Sequence, residues 1–363
     1  MSRVSRSRGR GAPDRTGVAE SLRMVVPGAL PMPNPLVTLR LHVADRALVE
    51  EGAHVEPGQP IIERSRETAA ADVADGPATA SASLGDAIDP GQIAAAAGRR
   101  NPLRPGDRPH LLFRGSDGRA RLAVGRRQVV VTAPVAGVVE HLGAGTLSIR
   151  AEGVGLRAPS GWGLPVQGPL VLGVASPDAE LRASALDVGA AGCIVVAGAR
   201  ADIESLTRAR AIGVAGILSG GIVGRELRQL EEADRRQRAA LHAAAAFAVV
   251  SLDGFGRRPI PGSSWDLLRA AEGRTVGLVP EAGWVVIGGD IAGLLEASAR
   301  PPGSVRITAG DGLGREGLLA GLAGPVRRAG GLYQSAGIVE GVAAGDGEPS
   351  RRAVPLADLE RFG

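Results

Sequence analysis

Small, polar and charged residues follow four apolar runs in the middle of the chain, and their types and spacing could do chemistry. We expect a ligand site built from eight of them: Ser176, Asp178, Ser219, Gly220, Gly221, Gly254, Gly256 and Arg257. Glycines let backbone N–H groups approach an anion, and arginine can make bidentate contacts with it. The pattern therefore predicts a site for a small anion, such as a phosphate or a carboxylate.

The same residues also have a purely structural interpretation. Glycine permits tight turns between strands and helices, and Asp178 fits the first turn of a helix, where a carboxylate is stabilised by the helix dipole. Asp178 and Asp253 would form an acid–base pair if both faced one edge of a sheet. No serine elbow or dinucleotide-binding glycine motif accompanies them. The sequence leaves an enzyme open as the alternative and favours a non-catalytic protein.

The four apolar runs predict the strands that would position these residues. The runs begin, in chain order, at Pro169, Cys193, Val214 and Phe247. Each is nearly continuous in apolar side chains and rich in β-branched residues, as in strands that a parallel sheet buries on both faces. We expect crossover helices over 177–188, from Asp202 onward, and over 223–242. The arrangement predicts a parallel α/β unit of the βαβαβαβ type over residues 151–290, with its ligand site beyond the carboxyl ends of the strands.

The composition excludes several classes of chemistry. All 42 basic residues are arginine, because the chain contains no lysine. Pyridoxal phosphate bound as a Schiff base, lysine-linked biotin or lipoate, and the lysine-containing phosphate-binding loop are therefore excluded. One cysteine, Cys193, and five scattered histidines do not form the spacing of a metal site. We expect no metal and no cofactor.

Two segments in the first 150 residues carry recognisable patterns. The first is Val49, Gly52, Val55, Gly58, Gln59 and Ile61, and the second is Val131, Ala133, Pro134, Val135, Gly137, Val138 and Val139. They resemble the two halves of a biotinyl/lipoyl-like barrel-sandwich hybrid. The halves stand in the opposite order to that of carrier domains, and the modified lysine is missing, so the resemblance implies the fold and excludes the carrier function. We expect this domain over residues 31–150, with a flexible insertion over about 66–101.

The last part of the chain, residues 303–363, is predicted to be a separate small β unit. Its segment around Gly317 resembles a KOW motif, the glycine-centred segment that opens an SH3-like barrel in ribosomal proteins and some transcription factors. The resemblance implies binding of RNA or protein through loops, and four arginines are candidates for phosphate contacts: Arg306, Arg315, Arg327 and Arg328. Tyr333 and Phe362 are the only aromatic residues there, so a protein partner is at least as well supported as RNA.

The three parts together resemble an uncharacterised bacterial family with a barrel-sandwich N-terminus, a central α/β domain and a KOW-like tail. Residues 1–30 are basic and predict a disordered leader, and residues 288–303 predict a linker. No apolar run is long enough to span a membrane, and no signal-peptide core follows the basic start. We therefore expect a cytoplasmic, non-catalytic binding or scaffold protein linked to transcription or translation. The alternative is a sensor or enzyme for a small anionic ligand at the central sheet.

Overall fold

A computed structural model of the chain describes residues 22–25, 30–42, 45–84, 86–89, 91, 109–239, 246–327, 331–341 and 351–362. Strands are the commonest secondary structure among these residues and form several sheets, and α-helices occur chiefly in the middle of the chain. The expectation of mixed α and β structure is confirmed at this level. Most of the predicted leader, residues 1–21 and 26–29, lies outside the described residues.

The N-terminal part consists of two four-stranded sheets that share one core. The elements up to residue 151 are β1 (Arg23–Met24), β2 (Met32–Pro33), β3 (Leu36–Arg40), β4 (Arg46–Ala47), β5 (His54–Val55), β6 (Pro60–Ala74), α1 (Pro77–Ala80), β7 (His110–Arg114), β8 (Arg119–Thr132), β9 (Gly137–Gly143) and β10 (Thr146–Ala151). Of these, β1 and β2 pair with strands of other sheets. The sheet orders are β3-β10-β9-β5 and β4-β6-β8-β7. Alternating apolar residues bury Leu39, Ile61, Val139 and Ile149 between the sheets.

The flexible insertion was expected to begin at residue 66, and this was wrong for residues 66–74. They continue β6, which pairs antiparallel with β8 from the Pro60–Thr132 pair to the Ala74–Arg119 pair. A small core that includes Val73, Leu111 and Leu122 closes the far end of this ribbon. Alanine and polar residues give this segment no clear alternation of apolar side chains. Its buried face depends on pairing with β8, which pairs in turn with β7. Of residues 91–101 at the end of the expected insertion, only residue 91 is described.

The central part is built around a nine-stranded sheet. Its elements are β11 (Gly153–Arg157), β12 (Ser160–Gly163), β13 (Val166–Leu172), β14 (Glu180–Leu181), β15 (Ile194–Val196), β16 (Arg200–Ala201), α2 (Ile203–Ile212), β17 (Gly216–Ser219), α3 (Gly224–Ala239), β18 (Ala248–Ser251), α4 (Gly262–Ala270), β19 (Thr275–Val279), β20 (Trp284–Gly288) and α5 (Ile291–Ser298). The four predicted apolar runs are β13, β15, β17 and β18, and neighbouring strands among them pair in parallel.

The sheet continues beyond the parallel strands in a way that the sequence did not indicate. The order is β12-β18-β17-β15-β13-β19-β20-β11-β2. The first half of β13 pairs antiparallel with β19, and its second half, from Leu170, pairs in parallel with β15. Pro169 stands at the change of partner. A strand has two hydrogen-bonding edges, so β13 can pair with β15 at one edge and with β19 at the other.

Two of the predicted crossover helices are present, and the first is not. Asp202 caps α2 by accepting the backbone N–H of Ser205 at 2.8 Å, and α3 follows β17 as expected. Residues 177–188 instead form a turn, β14 and part of two 3-10 turns, Ala183–Ala185 and Val188–Ala190. Leu181 and Leu186 still reach the core, but they do so from a largely extended backbone that pairs with β16.

Residues 288–303, expected to be a linker, contain the helix α5. Asp290 caps it by accepting the N–H of Gly293 at 3.2 Å. Leu294 is buried in the central core, and Ile291 and Leu295 pack at its margin. These spacings of three and four residues are those of one helix face, so the sequence contains a helical apolar pattern, but only over a short segment.

The C-terminal part forms a six-stranded sheet that includes a strand from the start of the chain. Its elements are β21 (Ser304–Ile307), β22 (Glu316–Arg327), β23 (Tyr333–Gly341), β24 (Arg351–Pro355) and β25 (Leu359–Arg361). The order is β1-β25-β21-β22-β23-β24, and β1 lies parallel to β25. Leu22 and Val25 are buried, so residues 22–25 of the expected leader are part of a folded sheet.

Candidate functional site

The predicted glycine turns at the carboxyl edge of the parallel strands pack against each other. Gly220 lies so close to the backbone of Arg258 and Pro259 that a Cβ atom there would collide with it. Gly221 is equally close to the carbonyl oxygen of Gly256. Glycine is required at both positions because two backbone segments come into direct contact.

The backbone N–H groups in these turns already have partners within the chain. Gly220 donates to the carbonyl of Gly198 at 2.7 Å, and Gly221 donates to that of Ala199 at 3.2 Å. Gly256 donates to the carbonyl of Ile222 at 2.9 Å. These N–H groups therefore do not form the open anion cradle that the glycine pattern suggested.

The buried hydroxyl groups near these turns serve the same packing. The hydroxyl of Ser219 donates to the carbonyl of Gly221 at 2.9 Å. The hydroxyl of Ser251 donates to the carbonyl of Gly254 at 2.6 Å. Both hydroxyl groups are therefore hydrogen-bonded to loop carbonyls of the chain itself.

Ser176, Asp178 and Arg257 are brought together at the surface, although not at a helix start. The Ser176 hydroxyl donates to the Asp178 carboxylate at 2.7 Å. Arg257 donates through Nε to Glu180 at 2.5 Å and to the carbonyl of Asp178 at 3.3 Å. The arginine is thereby oriented by one carboxylate and one carbonyl.

The two predicted acid–base residues each lie beside a different arginine. Asp253 accepts from Arg258 at 3.2 Å, and the Asp178 carboxylate lies 4.0 Å from Arg315. Among the described residues, no group of three or more potential metal ligands is found.

A buried ion pair that sequence reasoning did not find lies beside this edge. Arg200 donates to Glu226 at 2.8 Å, and the Glu226 side chain is almost fully buried. Burial raises the pKa of Glu226, and the attraction of Arg200 offsets only part of that rise. For Asp202, burial also opposes ionisation, but hydrogen bonds from Ser205 and the nearby arginines outweigh it and lower the pKa.

The predicted phosphate-contacting arginines of the C-terminal sheet have different environments. Arg306 donates to Glu360 at 3.0 Å and is mostly buried, so its charge is used within the sheet. Arg315 lies near Asp178, at the junction with the central part. Arg327 is exposed at the end of β22. Arg328 lies outside the described residues.

The exposed end of the β22–β23 hairpin presents an aromatic residue. Tyr333 is 68% exposed, and its neighbour Leu332 is 69% exposed. Tyr333 stands directly opposite Arg327 in the antiparallel register. Side chains at opposite positions point to the same face with Cβ atoms about 5 Å apart, so an aromatic ring and a guanidinium share this face.

The other end of β22 is fixed to the central part by buried charges. Arg300 follows α5 and donates to Glu316 at 2.5 Å and to Asp266 at 2.8 Å. Ser263 lies 3.2 Å from the second oxygen of Glu316. Burial of Arg300 disfavours its charge, but Glu316 and Asp266 outweigh that effect and raise its pKa. The C-terminal sheet is thus held firmly against α4.

Comparison with protein family models, with curated proteins and with solved structures found no match to this chain. Within the described residues, no helix is long and apolar enough to cross a membrane. The resemblances seen in the sequence therefore remain predictions, and the site must be judged on its own geometry.

Proposed function

We propose that this chain is a non-catalytic binding protein whose C-terminal sheet contacts single-stranded nucleic acid. The observation that carries the proposal is the exposed Tyr333, placed opposite Arg327 at the end of the β22–β23 hairpin. Every base has a flat face that can stack on an aromatic ring, and arginine can contact the adjacent phosphate. The remaining parts of the chain act in this proposal as the scaffold that presents the sheet.

The order of strands supports a KOW-type, SH3-like barrel for residues 303–361. Strands β21 to β24 follow one another as neighbours in the sheet. A 3-10 turn, Leu356–Asp358, leads into β25, which returns to pair antiparallel with β21. Gly317 supports the same assignment, because a Cβ atom there would collide with the carbonyl of Glu340.

The N-terminal part supports the barrel-sandwich assignment in a similar way. Each predicted half contributes one strand to each of the two sheets, β5 and β6 from the first half and β9 and β8 from the second. The core between the sheets contains Val55 and Ile61 from the first half and Ala133 and Val139 from the second. Trp284 and Val286 of β20 also join this core. Because β20 belongs to the central part and packs in the N-terminal core, this core holds the two parts together.

The charge pattern of the C-terminal sheet favours an anionic partner. Its glutamates are engaged by arginines of the chain: Glu316 by Arg300, Glu360 by Arg306 and Glu340 by Arg351. Arg327 and Arg352 remain exposed on the same sheet. Exposed arginines can neutralise phosphates, which is the source of most affinity for nucleic acids.

The test is binding of a labelled single-stranded RNA of about 16 nucleotides to the full chain, measured by fluorescence anisotropy. We expect Tyr333→Ala to weaken binding by at least about fivefold, because stacking on one base contributes about 1–3 kcal/mol. Tyr333→Phe should retain binding, since the ring is kept. Phe113→Ala is the control, because Phe113 is 60% exposed but lies on β7, away from the sheet.

Two results would reject the proposal. One is wild-type protein that does not bind the RNA, and the other is equal binding by wild type and Tyr333→Ala. Native mass spectrometry before and after nuclease treatment adds a check on material that copurifies. A protein partner that survives nuclease treatment, together with the absence of RNA binding, would favour protein scaffolding instead. The anionic-ligand alternative has less support, because the N–H groups of Gly220, Gly221 and Gly256 are already bonded.

A further inference from the structure

A second exposed aromatic residue stands at the carboxyl edge of the central parallel strands. Phe255 follows β18 and is 62% exposed, in a chain with only four phenylalanines, three tryptophans and one tyrosine. Phe247 and Trp265, by contrast, are buried. An exposed ring is available to stack on a partner, and its surroundings decide whether the site suits one.

The backbone holds Phe255 in one position. Phe255 forms a parallel bridge with Ile222. Ile222 donates to the carbonyl of Gly254 at 3.0 Å, and Gly256 donates to the carbonyl of Ile222 at 2.9 Å. Gly254 and Gly256 have φ values of +86° and +97°, which only glycine adopts readily. The ring is therefore displayed by a preorganised loop, and binding need not order that loop.

Arginines adjoin the loop that carries Phe255. Arg257 and Arg258 follow it in sequence, and Arg258 donates through Nε to the carbonyl of Phe255 at 3.2 Å. The side chains of Arg257 and Arg315 are 62% and 45% exposed. The acidic groups that face these arginines are Glu180, Asp253 and Asp178. Because each guanidinium has five donors, one carboxylate leaves others for a phosphate.

This loop adjoins the strand that carries the first candidate contact. A Cβ atom built on Gly314 would lie 3.3 Å from Pro259, and Arg315 approaches Asp178 at 4.0 Å. Strand β22 then runs for 12 residues from Glu316 to Arg327. At roughly 3.3 Å per residue, it connects the neighbourhood of Phe255 with Tyr333 over a distance of at most about 40 Å. The buried Arg300–Glu316 pair fixes one end of that path.

We infer that Phe255 is a second base-stacking platform, contacted by the same nucleic-acid strand that stacks on Tyr333, with Arg257 and Arg315 facing its phosphates. This inference rests on the function proposed above and deepens it by assigning a site outside the C-terminal sheet. The two platforms belong to parts of the chain that are packed together. A strand long enough to reach both gains affinity from each contact, because the second binding event is intramolecular.

The experiment measures binding of single-stranded RNA of about 16 and about 4 nucleotides to the full chain. Phe255→Ala should weaken binding of the longer RNA by at least about fivefold. Phe255→Trp should retain binding of the longer RNA, because an indole ring also stacks on bases. The matched control is Phe113→Ala, which removes a ring of similar exposure from a distant strand and should change nothing. Thermal unfolding of each variant confirms that the fold is retained.

The shorter RNA and a free nucleoside monophosphate show whether Phe255 stacks on a base of a continuous strand or on a single nucleotide. The longer RNA should bind more tightly than either and should lose more affinity in Phe255→Ala. If the mononucleotide binds as tightly as the longer RNA and depends on Phe255 to the same degree, the site is a nucleotide pocket and the continuous strand is rejected.

The remaining outcomes separate this inference from the proposed function. If Tyr333→Ala weakens binding of the longer RNA while Phe255→Ala behaves like Phe113→Ala, the C-terminal contact stands and the role of Phe255 is rejected. If neither the wild-type protein nor any variant binds the longer RNA, the proposed function and the role of Phe255 are both rejected.

Discussion

Two of the arginine–glutamate pairs that involve the C-terminal sheet, Arg300–Glu316 and Arg351–Glu340, differ mainly in burial. Arg300–Glu316 lies against the central part, where the Glu316 side chain is only 3% exposed. Arg351–Glu340 joins β24 to β23 on the surface, where the Arg351 side chain is 76% exposed. Removal of one partner leaves a buried charge in the first case and a hydrated charge in the second. The same two residue types therefore hold parts of the chain together at one place and contribute little to stability at the other.

Breaking the buried pair should have the largest effect. In Arg300→Met, Glu316 and Asp266 lose their shared cation, and Glu316 remains buried. We expect a loss of about 3–5 kcal/mol in the free energy of unfolding, measured by urea denaturation. Hydrogen exchange should show faster opening of the C-terminal sheet than of the central sheet. A loss below about 1 kcal/mol would contradict the structural role of this pair.

The pair between Arg200 and Glu226 should have an effect that depends on pH. The pKa of Glu226 is raised in the folded state, so the folded protein binds more protons than the unfolded chain above pH 4.5. Its contribution to stability is therefore lost as the pH rises through the folded pKa, and Glu226→Gln should remove that dependence. The wild type should lose stability relative to this variant as the pH rises above about 4.5 through the folded pKa of Glu226, by no more than about 1.4 kcal/mol per pH unit.

Urea denaturation at several pH values measures the difference. Asp202, whose pKa is lowered, contributes in the opposite sense and loses its stabilising effect as the pH falls through its folded pKa. Because Asp202 is present in both proteins, most of its contribution cancels in the comparison. A stability difference that stays constant or grows in favour of the wild type as the pH rises would count against the assigned titration of Glu226.

Removing the exposed pair should have the smallest effect. Glu340→Gln leaves Arg351 in water, so we expect a change of less than about 1 kcal/mol, shrinking further at high salt. The variant is also the natural control for Arg300→Met, because it alters an arginine–glutamate pair on the same sheet. A loss comparable with that of Arg300→Met would show that exposure does not separate the two pairs.

The strands of the central sheet were the most predictable part of the molecule. The runs beginning near Pro169, Cys193, Val214 and Phe247 became parallel strands because each is apolar on both faces. The crossover over 177–188 was wrong, since helical spacing of a few leucines does not distinguish a short helix from extended chain that reaches the same core. The helix α5 was missed because a single apolar face over eight residues gives a weak periodic signal.

The candidate site was also predictable only in part from the sequence. Gly220 and Gly221 were expected either to approach a ligand or to permit tight turns, and local sequence could not show whether a ligand or the chain itself lies against them. The exposure of Phe255 was not predicted, because a lone phenylalanine in a sequence predicts burial. Its exposure depends on the bridge to Ile222 and on the positive φ angles of its neighbouring glycines.

The sequence by itself determined the local elements and the excluded chemistry. Apolar runs specify buried strands, Asp202 specifies a helix start, and the absence of lysine removes every reaction that needs its amine. Only the tertiary structure decided which strands became neighbours, such as β1 beside β25, and which arginines were buried in ion pairs. The reason is physical: strand pairing and side-chain burial depend on contacts between residues far apart in the chain, and no local pattern contains that information.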